Sequence, residues 1–422
     1  MRAIGGFLVG IATMLSLSSC VVSELGGAFD HDPADIDRLS PEAQALVDQA
    51  FAEFLPTDAN PAPRELIDFH THVVGVGSSG SGAYVHSDLE SSWNPVRRVK
   101  YGVFMSACCV HDLGQGDEQY MGRLHALIDG IGPDDRRPWG RHCIFAFDQN
   151  YRLDGTVDLD RTEFYTPNDY VFELAAEHPD RFIPVMSVHP YRSDAIEALE
   201  RWAARGGRIC KWLPNVMGID PSHPRCEPFY DKMRELGVAL ISHAGTESAV
   251  RSGQQELGNP LLLRAALDRG VQVFVAHCGS LGQGIDFDSP DQERVPNFDL
   301  FLRLMDEPRY EGLVFGEISA ITQVNRVGST GRPLLTLLAR DDLHPRLVNG
   351  SDYPIPAVNC VIWTRRLVKY GFLTDEERTL LNEIYEYNPL LFDFVSKRLL
   401  RHPESGQRFP PEMFTIPANW EW

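Results

Sequence analysis

The sequence lacks the short motifs that mark several common classes of enzyme. It contains no Gly-x-Ser-x-Gly, the turn that presents the nucleophile of many serine hydrolases, and its eight cysteines form no Cys-x-x-Cys pair of the redox or zinc-binding kind. Basic residues are also few, because 39 lysines and arginines stand against 59 aspartates and glutamates, a net charge of −20. This balance disfavours nucleic acid as a partner, since phosphate binding needs clustered basic side chains.

Length and composition predict one large domain with extensions. The chain has 422 residues, of which 43% are hydrophobic and 23% are charged, so it can bury a substantial core. An eight-stranded α/β barrel needs about 250 residues. The remaining residues must form extensions and insertions, and no internal repeat is visible in them.

Five short apolar runs each end in a histidine, a lysine or an aspartate. These runs are residues 67–72, 209–211, 238–243, 271–277 and 347–352. A parallel α/β barrel produces this pattern, because its active site is built where its buried strands end. Imidazole suits zinc, iron and nickel, and a carboxylate completes a charge-neutralising shell around a divalent ion. The runs therefore predict a metal site at one end of a barrel.

From Glu65 onward, strand and helix patterns alternate, which predicts an α/β fold, a (β/α)8 TIM-type barrel. After the first strand, seven strands are expected at residues 100–109, 181–189, 208–213, 238–243, 271–277, 313–318 and 346–352. One apolar run, at 143–147, is left over. We expect it to pair with 156–160 as a hairpin insertion.

The motifs of this region resemble those of the amidohydrolase superfamily, in the branch that contains aminocarboxymuconate-semialdehyde decarboxylase. The matching pieces are Asp68-Phe69-His70-Thr71-His72, the single histidines His243 and His277, and Gly350-Ser351-Asp352-Tyr353-Pro354. The resemblance covers about residues 64–395, including Asn388-Pro389-Leu390-Leu391-Phe392, which is similar to the last helix of the family.

The resemblance implies a divalent metal, zinc in the first place, with one or two ions per chain. His70, His72 and Asp352 would bind one ion, with His243 and His277 near it. In binuclear members a carbamylated lysine bridges two ions, and Lys211 occupies the matching place. In mononuclear members His243 joins the first metal, while His277 orients or protonates the substrate. An ordinary ion-paired or substrate-binding lysine is the alternative for Lys211.

The same resemblance implies a hydrolase that acts on an amide, ester or lactone bond of a small molecule. Asp352 would act as the general base, taking a proton as water attacks and returning it to the leaving group. The metal or His277 would polarise the carbonyl group. Two alternatives remain open: a non-oxidative metal-dependent decarboxylase of the same superfamily, and an envelope binding protein without turnover.

Several side chains just after strand ends are candidates for substrate recognition. Arginine there suggests an anionic group on the substrate, and ion pairing at the barrel rim is the alternative. The candidates are His189, Arg192, Trp212, Glu247 and Arg251, with Glu317 at the end of the seventh strand.

The amino terminus resembles the signal of a bacterial lipoprotein. Arg2 precedes a mostly apolar stretch at 4–17, and Leu17-Ser18-Ser19-Cys20 is similar to a lipobox. This implies that residues 1–19 are removed and that lipid on Cys20 anchors the protein, with the periplasmic face of the outer membrane as the expected location; a plain secretory signal is the alternative. Residues 20–63 would form a tether and a helix starting at Pro41, and 396–422 a tail. A homo-oligomer is compatible with the sequence.

Overall fold

Eight parallel strands form the centre of the computed structural model, which describes residues 29, 31–58, 62, 64–132, 136–251, 253–417 and 420. In chain order the strands are β1 (Ile67–His72), β2 (Arg141–Phe145), β3 (Phe182–Val185), β4 (Ile209–Trp212), β5 (Ala239–His243), β6 (Val273–Ala276), β7 (Val314–Glu317) and β8 (Leu347–Val348).

The eight strands close into a barrel. Strands β1 to β3 pair in one parallel sheet, and β4 to β8 pair in another. The first junction is a parallel bridge between Met186 and Cys210, which joins β3 to β4. The second is a parallel bridge between Thr71 and Tyr353, which joins β1 to the segment after β8. The predicted TIM-type α/β barrel is therefore confirmed.

Helices surround the barrel. The longer ones are Pro41–Phe51, Pro95–Ala107, Gly116–Ile131, Asn168–Glu177, Ala195–Ala204, Glu227–Leu236, Asn297–Asp306, Arg332–Ala339, Asp375–Tyr387 and Pro389–Leu399. Four short α-helices are Pro214–Met217, Arg264–Leu267, Val324–Val327 and Thr364–Lys369. Two antiparallel pairs of short strands are Tyr84–Val85 with Phe164–Tyr165, and Gln283–Ile285 with Arg294–Pro296. Within the described ranges, none of the helices combines the length and apolarity needed to cross a bilayer.

The second strand of the barrel does not lie where the sequence pattern predicts it. Residues 100–107 belong to helix Pro95–Ala107, and β2 contains most of the run that we expected to form a hairpin. This run pairs in parallel with β1 and β3, while Val157 forms its bridge with Tyr151 instead. The hairpin prediction is wrong because a short apolar run suits a buried strand or a buried helix equally, and Pro95 favours helix initiation.

The amino-terminal extension packs on the barrel earlier than expected. Residues 1–28, which contain the predicted signal peptide and Cys20, lie outside the described residues. The sequence predicts a tether before the helix that starts at Pro41. Pro33–Arg38 instead forms a 3-10 turn, and Ile36 and Leu39 are buried, so this part of the predicted tether packs on the protein. Ser40 then caps helix Pro41–Phe51 by accepting a hydrogen bond from the backbone N–H of Ala43, which confirms the predicted helix start.

The carboxyl-terminal segment closes the barrel at the end where β1 begins. Helix Pro389–Leu399 runs past the predicted boundary at 395, and Thr415 then forms an antiparallel bridge with Leu66. The ring of Trp420 is buried in the apolar cluster inside the barrel, with its centroid 5.3 Å from that of Phe274. Several described side chains of the predicted tail, among them Phe409, Phe414 and Trp420, are therefore part of the core.

Replacing Trp420 by alanine should lower the free energy of unfolding by about 3 kcal/mol or more, because a large buried ring leaves a cavity inside the barrel. Urea denaturation followed by circular dichroism measures this change. Trp93 is 92% exposed and provides the matched control, since Trp93→Ala should change stability by no more than about 0.5 kcal/mol. Equal effects of the two substitutions would contradict the assigned role of Trp420.

Candidate metal centre

His70 and His72 reach the barrel interior because β1 contains a bulge. Phe69 belongs to the apolar cluster inside the barrel, so simple alternation would point His70 outward. The pairing of β1 with β2 shifts by one residue between Asp68 and Thr71. A bulge of this kind re-aims the side chains that follow it. Both histidines consequently line the cavity at the carboxyl ends of the strands.

Three side-chain atoms form a nearly equilateral triangle at this end of the barrel. Nε2 of His70 lies 3.3 Å from Nε2 of His72, and each lies 3.3 Å from Oδ1 of Asp352. A tetrahedral metal with bonds of about 2.0–2.1 Å separates its ligand atoms by about 3.3–3.4 Å. The triangle therefore fits three ligands of one divalent ion.

Glu317 supports this triangle from behind. Its Oε2 lies 2.9 Å from Nδ1 of His70 and also accepts a hydrogen bond of 2.7 Å from the Ser319 hydroxyl. Burial raises the pKa of Glu317, whereas the hydrogen bonds from Ser319 and the charge of Lys397 oppose this shift. A carboxylate on Nδ1 leaves the Nε2 lone pair of His70 free for a metal. Glu317 is fully buried and does not line the cavity, which corrects its predicted role in substrate recognition.

His277 presents a lone pair to the cavity. The Ser319 hydroxyl donates to Glu317, so Nδ1 of His277, 2.8 Å from that hydroxyl oxygen, must be the donor. Nε2 is then the unprotonated nitrogen. Burial, followed by the charge of Arg326, holds the pKa of His277 well below its ordinary value, so the ring is neutral near pH 7. Its resting form therefore suits a metal ligand or a hydrogen-bond acceptor rather than an acid.

His243 has a buried nitrogen that no group in the described residues satisfies. Its Nδ1 lies 3.6 Å from Oε2 of Glu247, while Nε2 has no hydrogen-bond partner. Burial and then the charge of Arg326 hold the pKa of His243 well below its ordinary value. An unsatisfied buried nitrogen is unusual in a native protein, and at this cavity it is available to an external group. His243 lies outside the compact triangle but lines the same cavity.

Lys211 lies beside the triangle. Its side chain is almost fully buried, with Nζ 3.3 Å from Nε2 of His70 and 4.8 Å from the centre of the Phe145 ring. Burial lowers the pKa of this lysine, although the charges of Asp352 and Glu317 oppose the shift. The structure thus brings Lys211 together with the predicted metal ligands.

Asp68 connects the first and last ligand segments without being a ligand. Its Oδ1 accepts hydrogen bonds from the backbone N–H groups of His70, at 3.0 Å, and Ser351, at 2.8 Å. Its Oδ2 lies 3.2 Å from Nδ1 of His142. Burial alone would raise the pKa of Asp68, but the interactions with His142 and Ser351 lower it overall. The carboxylate is therefore charged and holds two neighbouring backbones in register.

The backbone before Asp352 has no room for a larger residue. A Cβ atom on Gly350 would lie 2.5 Å from the Cβ of His70 and 2.6 Å from Oε1 of Glu317. The Gly350 carbonyl accepts a hydrogen bond of 2.7 Å from Nζ of the buried Lys397. Asp352 itself adopts φ +61°, a left-handed conformation that non-glycine residues rarely use outside constrained sites.

The ligand triangle opens into a cavity of about 610 Å³. Its wall contains apolar side chains from helix Pro95–Ala107 and a group of charged side chains around the triangle. Of the predicted recognition residues, Glu247 and Arg251 line this cavity. A volume of this size suits a small-molecule ligand.

Three other predicted recognition residues do not line the cavity. Trp212 follows Lys211 in β4 and therefore points to the opposite face, where its Nε1 donates to the Val188 carbonyl at 2.9 Å. Nε2 of the buried His189 lies 3.0 Å from the Met217 carbonyl. Arg192 binds Asp194 through two hydrogen bonds of 2.8 Å. These side chains have partners within the rim, which corrects their predicted role in binding.

Arg326 is a charged cavity residue that the sequence analysis did not predict. It lies in the short helix Val324–Val327, is 6% exposed, and lines the cavity with His243 and His277. It belongs to no motif and follows β7 at a distance, so no strand-end pattern indicates it. Its charge contributes to the lowered pKa of both histidines.

Comparison with known proteins identifies a family. A model of the family described as amidohydrolase matches residues 144–380 of this chain. No curated protein matches the sequence.

Solved structures with a similar course of the chain are distant in sequence. A probable 2-pyrone-4,6-dicarboxylic acid hydrolase from Acinetobacter baumannii, with citric acid bound, is 15% identical over 83% of this chain and 98% of its own, with a TM-score of 0.42. A 5-carboxyvanillate decarboxylase from Novosphingobium aromaticivorans, with bound manganese, is 13% identical over 79% and 96%, with a TM-score of 0.43. A 2,6-dihydroxybenzoate decarboxylase from Rhizobium is 11% identical over 79% and 98%, with a TM-score of 0.38.

The buried His189 should make stability fall in mild acid. Burial lowers the pKa of His189 to about 3 in the folded protein. Below about pH 6.5, His189 therefore binds a proton in the unfolded chain but not in the folded protein. Between pH 6 and 4, the wild type should lose about 1.4 kcal/mol per pH unit more than His189→Gln. Urea denaturation across this range measures the slopes. His111→Gln on the surface is the control, and equal slopes for wild type and His189→Gln would contradict the assignment.

Proposed function

The chain belongs to the amidohydrolase family, and from its site we propose that it is a metal-dependent hydrolase that cleaves an amide, ester or lactone bond of a small molecule. The strongest support is the triangle of His70, His72 and Asp352, whose ligand atoms lie 3.3 Å apart. The triangle lies in a cavity large enough for a small molecule.

The residues present fit a divalent metal, and zinc is the ion we propose first. Two imidazoles and a carboxylate at tetrahedral spacing are a common zinc ligand set. The unsatisfied Nε2 of His243 is available as a further ligand of the metal or as a hydrogen-bond partner of the substrate. When bound, a divalent ion at such a site lowers the pKa of water from 15.7 to about 7 and polarises a carbonyl group.

Asp352 would transfer the proton of the reaction, and His277 would orient the attacking water. As the oxygen of the attacking water bonds to the carbonyl carbon, Asp352 takes a proton from that water. The same proton then passes to the leaving nitrogen or oxygen as the scissile bond breaks, so Asp352 returns to its carboxylate form. His277, with Nε2 unprotonated, accepts a hydrogen bond from the attacking water and orients it.

The number of metals depends on Lys211. Carbon dioxide can add to its neutral amine to give a carbamate and a proton, and the carbamate would supply an oxygen ligand for a second ion. Burial, which lowers the pKa of Lys211, favours the neutral amine, and Nζ is already 3.3 Å from Nε2 of His70. Without the carbamate, we propose one ion per chain, with His243 as an additional ligand.

Asp352→Asn should lower turnover by at least about 100-fold, because the amide cannot accept the proton. Metal content should fall less, since both histidines and an amide oxygen remain. Turnover is measured on a panel of aryl esters, anilides and lactones, and metal content by mass spectrometry of protein purified without chelator. Lys211→Ala tests for the second ion. Two metals per chain in the wild type and one in Lys211→Ala would support the carbamate, whereas one metal per chain in both proteins would contradict it.

The matched control is Asp148→Asn, a buried aspartate that lies outside the cavity and contacts Arg192 at 3.2 Å. This variant should keep metal and turnover within a few-fold of wild type. Normal turnover in Asp352→Asn would contradict the role of the base. Release of carbon dioxide without consumption of water would identify a decarboxylase, and absence of both metal and turnover would favour a binding protein.

We also propose that the mature protein is anchored in the bacterial envelope through lipid on Cys20. This rests on the lipobox-like Leu17-Ser18-Ser19-Cys20. Wild type expressed in a bacterial host should incorporate labelled palmitate and partition into the detergent phase of Triton X-114. Cys20→Ser should do neither. A wild-type protein that remains unlabelled in the aqueous phase would support a plain secretory signal instead.

A further inference from the structure

Arg326 is a buried guanidinium that forms no ion pair with any residue that the structure describes. Its Nη1 donates a hydrogen bond of 3.2 Å to the Ser280 hydroxyl, and Nε has no hydrogen-bond partner. Among the described residues, no carboxylate oxygen lies within 4.0 Å of this guanidinium. Removing a charged group from water without a partner is unfavourable, so the fold gains no stability from this arrangement.

Three other cations of the cavity differ from Arg326, and a fourth, Lys211, belongs to the candidate metal centre, with its Nζ 3.3 Å from Nε2 of His70. Arg97 forms an ion pair of 2.8 Å with Glu163, and Lys100 donates to the Ser248 carbonyl. Arg251 is exposed, so water can solvate its charge. Unlike those first three cations, Arg326 combines burial with the absence of a close acceptor, which is what a binding site for an anionic group requires.

The charges around Arg326 favour an anion with a single charge. Asp352, Glu247 and Glu317 act on it electrostatically from beyond ion-pair distance. Their negative potential would repel a phosphate dianion more strongly than a carboxylate. A planar guanidinium also matches the two oxygens of a carboxylate.

The wall of the cavity indicates the rest of the ligand. Tyr101, Phe104 and Met105 of helix Pro95–Ala107 line it, together with Val250 and Val361. A cavity of about 610 Å³ exceeds what a carboxylate and a scissile bond occupy, so its apolar wall leaves room for an apolar body on the ligand.

We propose that Arg326 binds the carboxylate of a hydrophobic substrate whose apolar body packs on helix Pro95–Ala107. This inference rests on the proposed function, because it takes the cavity of the metal centre as the substrate site. Arg326 then selects for acidic substrates, while the metal centre performs the reaction.

The experiment compares 6-phenylhexanoate with the neutral 6-phenylhexanamide by isothermal titration calorimetry. Wild type should bind the carboxylate about tenfold or more tightly than the amide, as expected for a hydrogen bond to a charged group. Arg326→Met should abolish this preference without lowering the melting temperature, since an apolar side chain replaces an unpaired buried charge. A preference that persists in Arg326→Met would overturn the proposal.

Matched variants and metal removal distinguish Arg326 from Arg97, Arg251 and a bound metal as the group that binds the carboxylate. Arg97→Gln and Arg251→Gln should keep the carboxylate preference, and its loss in Arg251→Gln instead of Arg326→Met would overturn the proposal. The preference for the carboxylate over the amide should persist after a chelator has removed any bound metal. Its disappearance would show that the carboxylate binds a metal. Tighter binding of 4-phenylbutyl phosphate than of the carboxylate would also contradict it.

The two proposals fail separately. Carboxylate preference that depends on Arg326, in a protein that hydrolyses no compound of the ester, anilide and lactone panel, would support this inference and contradict the hydrolase. Hydrolysis of a compound of this panel by a protein that shows no carboxylate preference would support the hydrolase and contradict the role of Arg326.

Discussion

The junction between the first and last strands holds the candidate active site together. The backbone N–H of Asp352 donates to the His70 carbonyl at 2.7 Å, and Asp68 accepts from both segments. Of the three candidate ligands, His70 and His72 lie in β1, and Asp352 lies in the segment after β8. Because Gly350 leaves no space for a side chain, the segments approach closely enough to give ligand spacings of 3.3 Å. The geometry of the candidate metal centre is therefore a property of barrel closure.

Much of this arrangement could be predicted from the sequence. Apolar runs that end in ligand-type residues identified the barrel and brought His70, His72, Lys211, His243, His277 and Asp352 to one cavity, because strands of a parallel barrel all end at one rim. The exception was the second strand. Helix Pro95–Ala107 contains a continuous apolar stretch that resembles a strand, whereas β2 is only five residues long. Local pattern cannot decide between them, and tertiary pairing does.

The remaining features depend on contacts that sequence does not encode locally. The bulge in β1 is visible only when its pairing with β2 is known, yet it determines that His70 faces inward. Trp212 lies next to Lys211, a candidate metal ligand, but on the other face of β4, so nearness in sequence did not bring it to the cavity. Arg326 reaches the cavity from a short helix that carries no recognisable signal.

The position of Trp420 has a consequence for how the chain is made. Strands β1 to β8 are synthesised before residue 420, but the apolar interior they enclose is completed by this ring. Until Trp420 has been added to the chain and has reached the barrel, the end where β1 begins remains open to water. The nascent chain therefore exposes apolar surface until synthesis passes this residue, and chaperones could bind it during that interval. The interior of this barrel is therefore closed only after Trp420 has joined the strands.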